Sequence, residues 1–598
     1  MRYVKLIGFI CILVVTGALI RPDITVNTSQ ELTLSYLNRQ TIVFAQTVHL
    51  LSDQVSRLDS GNTQTILSTK TSLVNCRIQY KKISFFLDYF YPQAGRLYNG
   101  PAKKELEEPF LESDEPQGLQ QIEADLFDPH PVRKKRDMEN LVLVMRESAS
   151  DLLPVYQTLS ITVPQMMEGL HLELIRIMSL YITGYDAPFL KTGIHEAASS
   201  LATMDSVLNI YSFVSKWKDP ALEVSLKNAE DYLKENSEFN SFNRLVFLTG
   251  YALPLEEILA KYIRENGWEL KTVKLLDYRA GNLFQKEVLP NKNFQSAEMI
   301  ALGKALFSEK ALSGDGSRSC ATCHQPTKYF TDQLSRNQSL INHKDLKRNT
   351  PSLFYAAYQS AQFWDGRDST LGAQIYDVLT DKNEMGNSPR AIEQTISLKE
   401  NYCVAFQKAF RKDRTDNIKI TEIQFAISAY VESLHPMNSP FDHYIAGDHL
   451  AMTPKQQAGF NLFMGKAACG TCHFAPLFNG STPPFFNRTE YEILGVPQTA
   501  NFNEKKPDSD PGRYNLYPVD MYRGAFKTPT IRNVAQTYPY MHNGCMKTLY
   551  QVLDFYNRGG GSGLGMIVPD QTLSGNNLRL SKNEMNNIIA FLQALTDH

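Results

Sequence analysis

The chain has 598 residues, about four times the ~150 residues usual for one domain, so two to four domains are expected. Hydrophobic residues make up 43% and charged residues 21%, enough apolar mass for packed cores, which excludes a mainly disordered chain. Lys+Arg 61 against Asp+Glu 63 leaves a net charge of -2, which excludes a global basic field for nucleic acid and a strongly acidic one alike.

Met1-Arg2-Tyr3-Val4-Lys5 is a short basic start, and Leu6 to Ile20 is an apolar run of 15 residues. Such a run is short for a membrane-spanning helix and right for an export segment. A cleaved signal over 1–20 is the leading reading, with Thr16-Gly17-Ala18 offering the small residues a peptidase reads. An uncleaved membrane anchor and, less favoured, lipidation at Cys11 stay open. Each exports the body of the chain, and the periplasm is the expected location.

From about 25 to 280 the chain reads as helix after helix. Phe85, Phe86, Leu87, Tyr89 and Phe90 cluster in one segment, and Leu170, Leu172, Leu174, Ile175, Ile177, Met178 and Leu180 form a broad helical stripe. Turn punctuation falls at Asn99-Gly100-Pro101, Asp128-Pro129-His130-Pro131 and Gly184-Tyr185-Asp186-Ala187-Pro188. An antiparallel helix bundle is the economical architecture. The basic run Arg133 to Arg136 reads as a solvated loop or helix start.

Beyond about 290 a repeat sets in. Ala301-Leu302-Gly303-Lys304-Ala305-Leu306-Phe307 leads into Cys320-Ala321-Thr322-Cys323-His324, and Ala458-Gly459-Phe460-Asn461-Leu462-Phe463 leads into Cys469-Gly470-Thr471-Cys472-His473. Thr453 with Pro454 and Gln456 forms a capping-box start, and Ser581 with Glu584 opens a last helix. Strand content is expected to be low.

C-x-x-C-H is the attachment signature of c-type haem. Cysteines at i and i+3 on one turn reach the two porphyrin vinyl groups and form thioethers, and the next His reaches the iron. Zinc wants four clustered ligands, and a redox dithiol needs no trailing His. Two covalent haem c groups are therefore predicted, on Cys320, Cys323 and His324 and on Cys469, Cys472 and His473, with both histidines as axial ligands. The expected fold class is mainly α, a helical bundle over 25–280 followed by cytochrome c-like haem domains over 285–445 and 446–598.

Arg348-Asn349-Thr350-Pro351, Phe363-Trp364-Asp365-Gly366-Arg367, Gln374 and Glu384-Met385-Gly386 continue this half, with Phe526-Lys527-Thr528-Pro529, Pro539-Tyr540-Met541-His542-Asn543-Gly544 and Phe555-Tyr556-Asn557-Arg558-Gly559-Gly560 further on. Over about 285–598 these motifs resemble the bacterial diheme cytochrome c peroxidase family. The resemblance implies an exported oxidoreductase that reduces hydrogen peroxide to water at the first haem, with electrons from cytochrome c or another small redox protein entering at the second. It makes Glu384, with Gln374, the distal acid–base pair, and Trp364 the aromatic bridge between the haems; without it, Glu384 reads as a loop glutamate and Trp364 as a core aromatic. His343 matches the loop ligand that closes the resting first haem, against an ordinary exposed histidine. His542 would act by hydrogen bonding near a haem.

The sixth ligand of the second haem is implied to be Tyr556, the pattern of the methylamine-utilisation enzyme MauG and its relatives, with Met541 or Met546 as the alternatives. A phenolate lowers the reduction potential relative to a thioether. This opens a second reading, a MauG-like oxidase that uses high-valent haems to oxidise a protein or organic substrate. A non-enzymatic electron carrier or iron-binding surface protein is the third. Asn349, Thr537 and Pro539 match the family's inter-haem calcium site, and a homodimer stays open. Cys76, Cys403 and Cys545 read as buried thiols. In the first half, Gly118-Leu119-Gln120-Gln121-Ile122-Glu123 is similar to the imelysin-like helical family, with Gln120 where that family has His; Gln is a poor metal ligand, and Glu123 reads as a helix-face carboxylate.

Overall fold

The computed structural model describes residues 21–107, 112–156, 159–215, 219–270, 296–411 and 417–598. The expected export segment 1–20 and the expected junction at 280–285 lie outside them. The described residues are mainly α, as expected, with two short antiparallel strand pairs: β1 Glu105–Glu107 with β2 Glu112–Asp114, and β3 Tyr491–Ile493 with β4 Ala525–Lys527. No described helix is long and apolar enough to cross a membrane. The chain divides into two compact units, Met1–Lys274 and Leu275–His598.

The first unit is a helical bundle. Its long helices are α1 Arg21–Ser56, α2 Thr63–Tyr80, α3 Gly118–Leu126, α4 Lys135–Tyr156, α5 Val163–Arg176, α6 Gly193–Ser215, α7 Pro220–Glu235 and α8 Leu253–Glu265. α1 packs on α2, α4 and α6, and α7 on α6 and α8. α5 starts with a Thr162/Gln165 capping box and continues into a π-helical turn, Ile177–Tyr181. The stripe from Leu170 to Leu180 belongs to a helix buried on all sides, because His171, Glu173 and Arg176 are buried with it.

The second unit holds both Cys-His loops, and the repeat is visible in its packing. α9 Ala297–Phe307 crosses α11 Ile420–Glu432, and α12 Pro454–Met464 crosses α14 Lys582–Ala594. At each crossing a glycine faces a backbone carbonyl. A Cβ at Gly303 would run into the Ala426 oxygen, and one at Gly459 into the Asn587 oxygen. One turn further on, Phe307 meets Tyr430 with ring centroids 5.3 Å apart, and Phe463 meets Phe591 at 5.3 Å. A third ring completes each cluster, Phe330 in one and Phe478 in the other. The Thr453/Gln456 and Ser581/Glu584 capping boxes are both formed. Within each repeat a further helix lies between the crossing pair in the chain: α10 Leu371–Thr380, packed on α11, and α13 Leu549–Asn557, packed on α14.

Candidate functional site

The two Cys-His loops share one local design. Cys320–Cys323 forms a single helical turn and Cys469–Thr471 a 3-10 turn, so both cysteine pairs sit on one turn. His324 Nδ1 lies 3.0 Å from the Phe330 carbonyl oxygen, and His473 Nδ1 lies 3.1 Å from that of Phe478. A carbonyl can only accept, so each Nδ1 carries the proton and each Nε2 keeps its lone pair for a metal. Burial lowers the pKa of His324, and it lowers that of His473 to about 4, which holds both rings in the neutral, ligating form. Phe330 and Phe478 both take φ near +55° (57° and 50°), the backbone that turns their carbonyls back onto the histidines. The sequence motif did not reveal these two carbonyls, although both phenylalanines follow their histidine at nearly the same distance.

The residues expected around the first loop fall on α10 and the loop after it. Gln374 is half-buried on α10. Met385 N–H donates to Val378 O and Asn387 N–H to Leu379 O, so the loop carrying Glu384 folds back on the end of that helix. Burial pushes the half-buried Glu384 carboxyl up to about 7; Asp381 and Asp377 add to the rise, and Arg367 and Arg318 oppose it. The same carboxylate raises the thiols of Cys320 and Cys323, so it lies within electrostatic reach of the first Cys-His loop. His343 stands exposed, with φ 55°, in a loop whose Leu340 N–H donates to Asn383 O at 2.7 Å.

Trp364 sits where the two repeats meet. Its Nε1 donates to Asn349 O at 2.9 Å, and its carbonyl accepts from Lys527 N at 2.8 Å. Asn349 N–H donates in turn to His542 O at 2.7 Å, and the His542 ring stacks on Phe526 with centroids 3.8 Å apart. Charged residues lock the arrangement. Asp365 takes Arg348 at 2.6 Å and Arg367 at 3.2 Å, and Arg348 also pairs with Asp510 at 2.7 Å. Gly366, with φ 67°, makes the turn, and a Cβ there would run into the Tyr491 hydroxyl.

Around the second loop, Tyr556 on α13 is half-buried, and burial raises its phenol well above the usual value. Cys472, Cys469 and Glu492 add to the rise, so the hydroxyl lies within electrostatic reach of the second cysteine pair. Met546 is fully buried in a cluster with Phe555, Leu564 and Met566, and Met541 and Tyr556 pack against that cluster.

A family model described as di-haem cytochrome c peroxidase matches residues 297–450. The cytochrome-c peroxidase IdrP2 of Denitromonas iodatirespirans is 34% identical over 333 residues, 52% of this chain and 84% of that protein. The chain belongs to the di-haem cytochrome c peroxidase family. MauG of Methylorubrum extorquens is 33% identical over 308 residues, 51% of this chain and 80% of that protein. The cytochrome c551 peroxidase of Pseudomonas aeruginosa is 30% identical over 303 residues, 50% and 79%. As a member of this family the protein is an oxidoreductase that carries haem c, and the two Cys-His loops are the chain's C-x-x-C-H motifs.

Asn349 is buried and spends its Nδ2 on Leu334 O at 2.8 Å and Ser335 O at 3.4 Å. The loop bearing Thr537 and Pro539 is held close by, with Gln333 Nε2 donating to Gln536 O at 3.2 Å. Among the described residues no group of three or more His, Cys, Asp or Glu is arranged to hold a metal ion.

In the first unit Glu123, read as a helix-face carboxylate, stands on α3 and faces the interior. It is fully buried, accepts from Phe189 N and Leu190 N at 2.7 and 2.8 Å, and lies 3.6 Å from Arg77. Arg77 pairs with Glu196 at 2.8 Å, Lys81 pairs with Asp186, and Gln120 donates to Asn99 O at 2.8 Å. Cations of the chain itself, Arg77 and Lys81, stand amid these carboxylates. Cys76 is buried as expected, whereas Cys403 and Cys545 are only half-buried at the edges of their clusters.

Proposed function

We propose that this protein is an exported diheme c-type peroxidase that reduces hydrogen peroxide to water with electrons from cytochrome c or another small redox protein. The observation that carries the reading is Glu384, a half-buried carboxyl raised to about 7 and coupled to the first cysteine pair. Pure electron transfer needs no such acid. Relatives named cytochrome-c peroxidase support the same substrate.

Both loops fit covalent haem: each presents paired cysteines on one turn and a His held neutral by burial, whose Nε2 would bind the iron. Bound there, the haems supply the redox chemistry. The chain supplies proton handling and positioning. The Glu384 carboxylate takes a proton from peroxide and returns it to the departing oxygen, with Gln374 as the hydrogen-bonding partner that orients the substrate. Trp364 bridges the two sites, held by Asn349 O on one side and Lys527 on the other. His343 is assigned as the loop ligand of the resting first site, so that movement of its loop is felt beside Glu384 through the Leu340–Asn383 hydrogen bond. Oxygens of Asn349, Thr537 and Pro539 form the calcium site, with the Asn349 Nδ2 turned to Leu334 O. The first unit is an imelysin-like bundle over about 25–280, the haem domains span 285–445 and 446–598, and the protein works in the periplasm, with membrane anchoring and a homodimer as further proposals.

Tyr556 favours a second reading, a MauG-like oxidase acting on a protein or organic substrate, because its buried phenol lies within electrostatic reach of the second cysteine pair. Steady-state peroxide turnover with reduced cytochrome c tests the first reading. Glu384→Gln is expected to lower it by about 10²–10⁴-fold with both haems still attached, and equal rates would remove the peroxidase claim. Tyr556→Phe is expected to change the absorption spectrum of the second haem alone; an unaltered spectrum rules tyrosine out as its ligand.

A further inference from the structure

The β3–β4 ribbon puts a carboxylate beside the second Cys-His loop for which the peroxide chemistry has no use. β3 and β4 pair in the register Tyr491↔Lys527, Glu492↔Phe526 and Ile493↔Ala525. Residues directly opposite in an antiparallel pair project to the same face. Glu492 therefore shares its face with Phe526, whose ring stacks on His542, while Tyr491 and Lys527 project to the other face. The Cys472 thiol donates to Glu492 Oε1 at 3.4 Å, from the sulfur to which one vinyl group would attach, and the Glu492 charge is felt at the Tyr556 hydroxyl. The corresponding sulfur of the first loop has a different neighbour. Cys323 Sγ accepts from the neutral Asn337 amide at 3.3 Å, and the Asp332 carboxylate behind it is held by Asn337 and Thr350, each at 2.8 Å.

We propose that Glu492 is the charge that sets the reduction equilibrium of the second haem. A carboxylate held against the thioether edge of a porphyrin stabilises the oxidised, more positive iron over the reduced one, and it does so mainly at the haem it touches. Glu492 is a positioning residue in this role: it meets no substrate and acts through the local field. The inference rests on the reading of both loops as haem attachment sites.

The test is a spectroelectrochemical titration of the purified holoprotein that follows both haems, after mass spectrometry has shown which peptides carry them. Glu492→Gln keeps the shape and removes the charge; Glu492→Asp keeps the charge. In Glu492→Gln the second haem is expected to shift about tenfold toward the reduced form, about 59 mV for one electron. The first haem is expected to stay in place, and Glu492→Asp to lie closer to wild type than Glu492→Gln does. If Glu492→Gln does not mature, Glu492→Ser carries the same expectation and the same refutation. An unmoved second haem, equal shifts at both haems, or equal shifts for Asp and Gln overturns the role of Glu492 while leaving the haem reading intact. Wild-type protein without haem on Cys469 and Cys472 would instead remove the haem reading itself.

Discussion

Glu384 owes its chemistry to its neighbours. Removal from water disfavours the carboxylate, Asp381 and Asp377 disfavour it further, and Arg367 and Arg318 pull the other way, so the group titrates near 7 rather than in the ordinary carboxylate range. The sign of the resulting pH dependence follows. Below about 7 the carboxyl is mostly protonated and cannot accept a proton from peroxide; above it the carboxylate can. Peroxide turnover is expected to rise through about pH 7 in the wild type, and Glu384→Gln is expected to lose that limb; a limb that survives the substitution assigns it to another group. None of this balance is legible in the sequence, where Glu384 is one carboxylate among several in a short loop. Asp365 and Arg367 stand inside the Trp-Asp-Gly-Arg motif and pair with each other, yet Asp365 also holds Arg348, which in turn pairs with Asp510, far away in the chain. The Cys-His loops are the opposite case: five consecutive residues state the chemistry, and only the carbonyls of Phe330 and Phe478 had to come from the fold.

At the scale of elements, the repeated helices were readable because caps and apolar spacing are local. Thr453 with Gln456 and Ser581 with Glu584 announce their helices, and the structure forms both boxes. The glycines in Ala-Leu-Gly-Lys and Ala-Gly-Phe-Asn gain their meaning only from the partner helix. Gly303→Ala and Gly459→Ala, each forcing a methyl into a facing carbonyl, are expected to destabilise the protein by about 1–3 kcal/mol or more. Gly372→Ala on α10, where a Cβ meets nothing within 4 Å, is expected to be neutral or to stabilise by up to about 1 kcal/mol. Thermal unfolding checks the contrast, and similar losses at all three positions would contradict the close crossing. The β3–β4 ribbon was not readable, since strands of three residues carry no period.

At the scale of the whole molecule, residues distant in sequence close the structure. In the second unit Asp597 accepts from Tyr355 Oη and Asn533 Nδ2, each at 2.7 Å, and from Asn438 N at 3.2 Å, so it ties both repeats together. Asp597→Ala leaves a buried hydroxyl and a buried amide without their acceptor and is expected to cost about 2–4 kcal/mol in chemical denaturation. A loss below about 0.5 kcal/mol would show that the clasp is not needed. In the first unit the ion network of Arg77, Lys81, Glu123, Asp186 and Glu196 draws on helices and loops spread over more than a hundred residues, which is why sequence reading saw a helical bundle and not its charged interior. The claim beneath the rest is that both Cys-His loops carry covalent porphyrin. Intact-mass and peptide mass spectrometry of the mature protein tests it most directly. Two haem masses per chain, one on the peptide with Cys320 and Cys323 and one on that with Cys469 and Cys472, are expected; mature protein without that added mass would contradict the account.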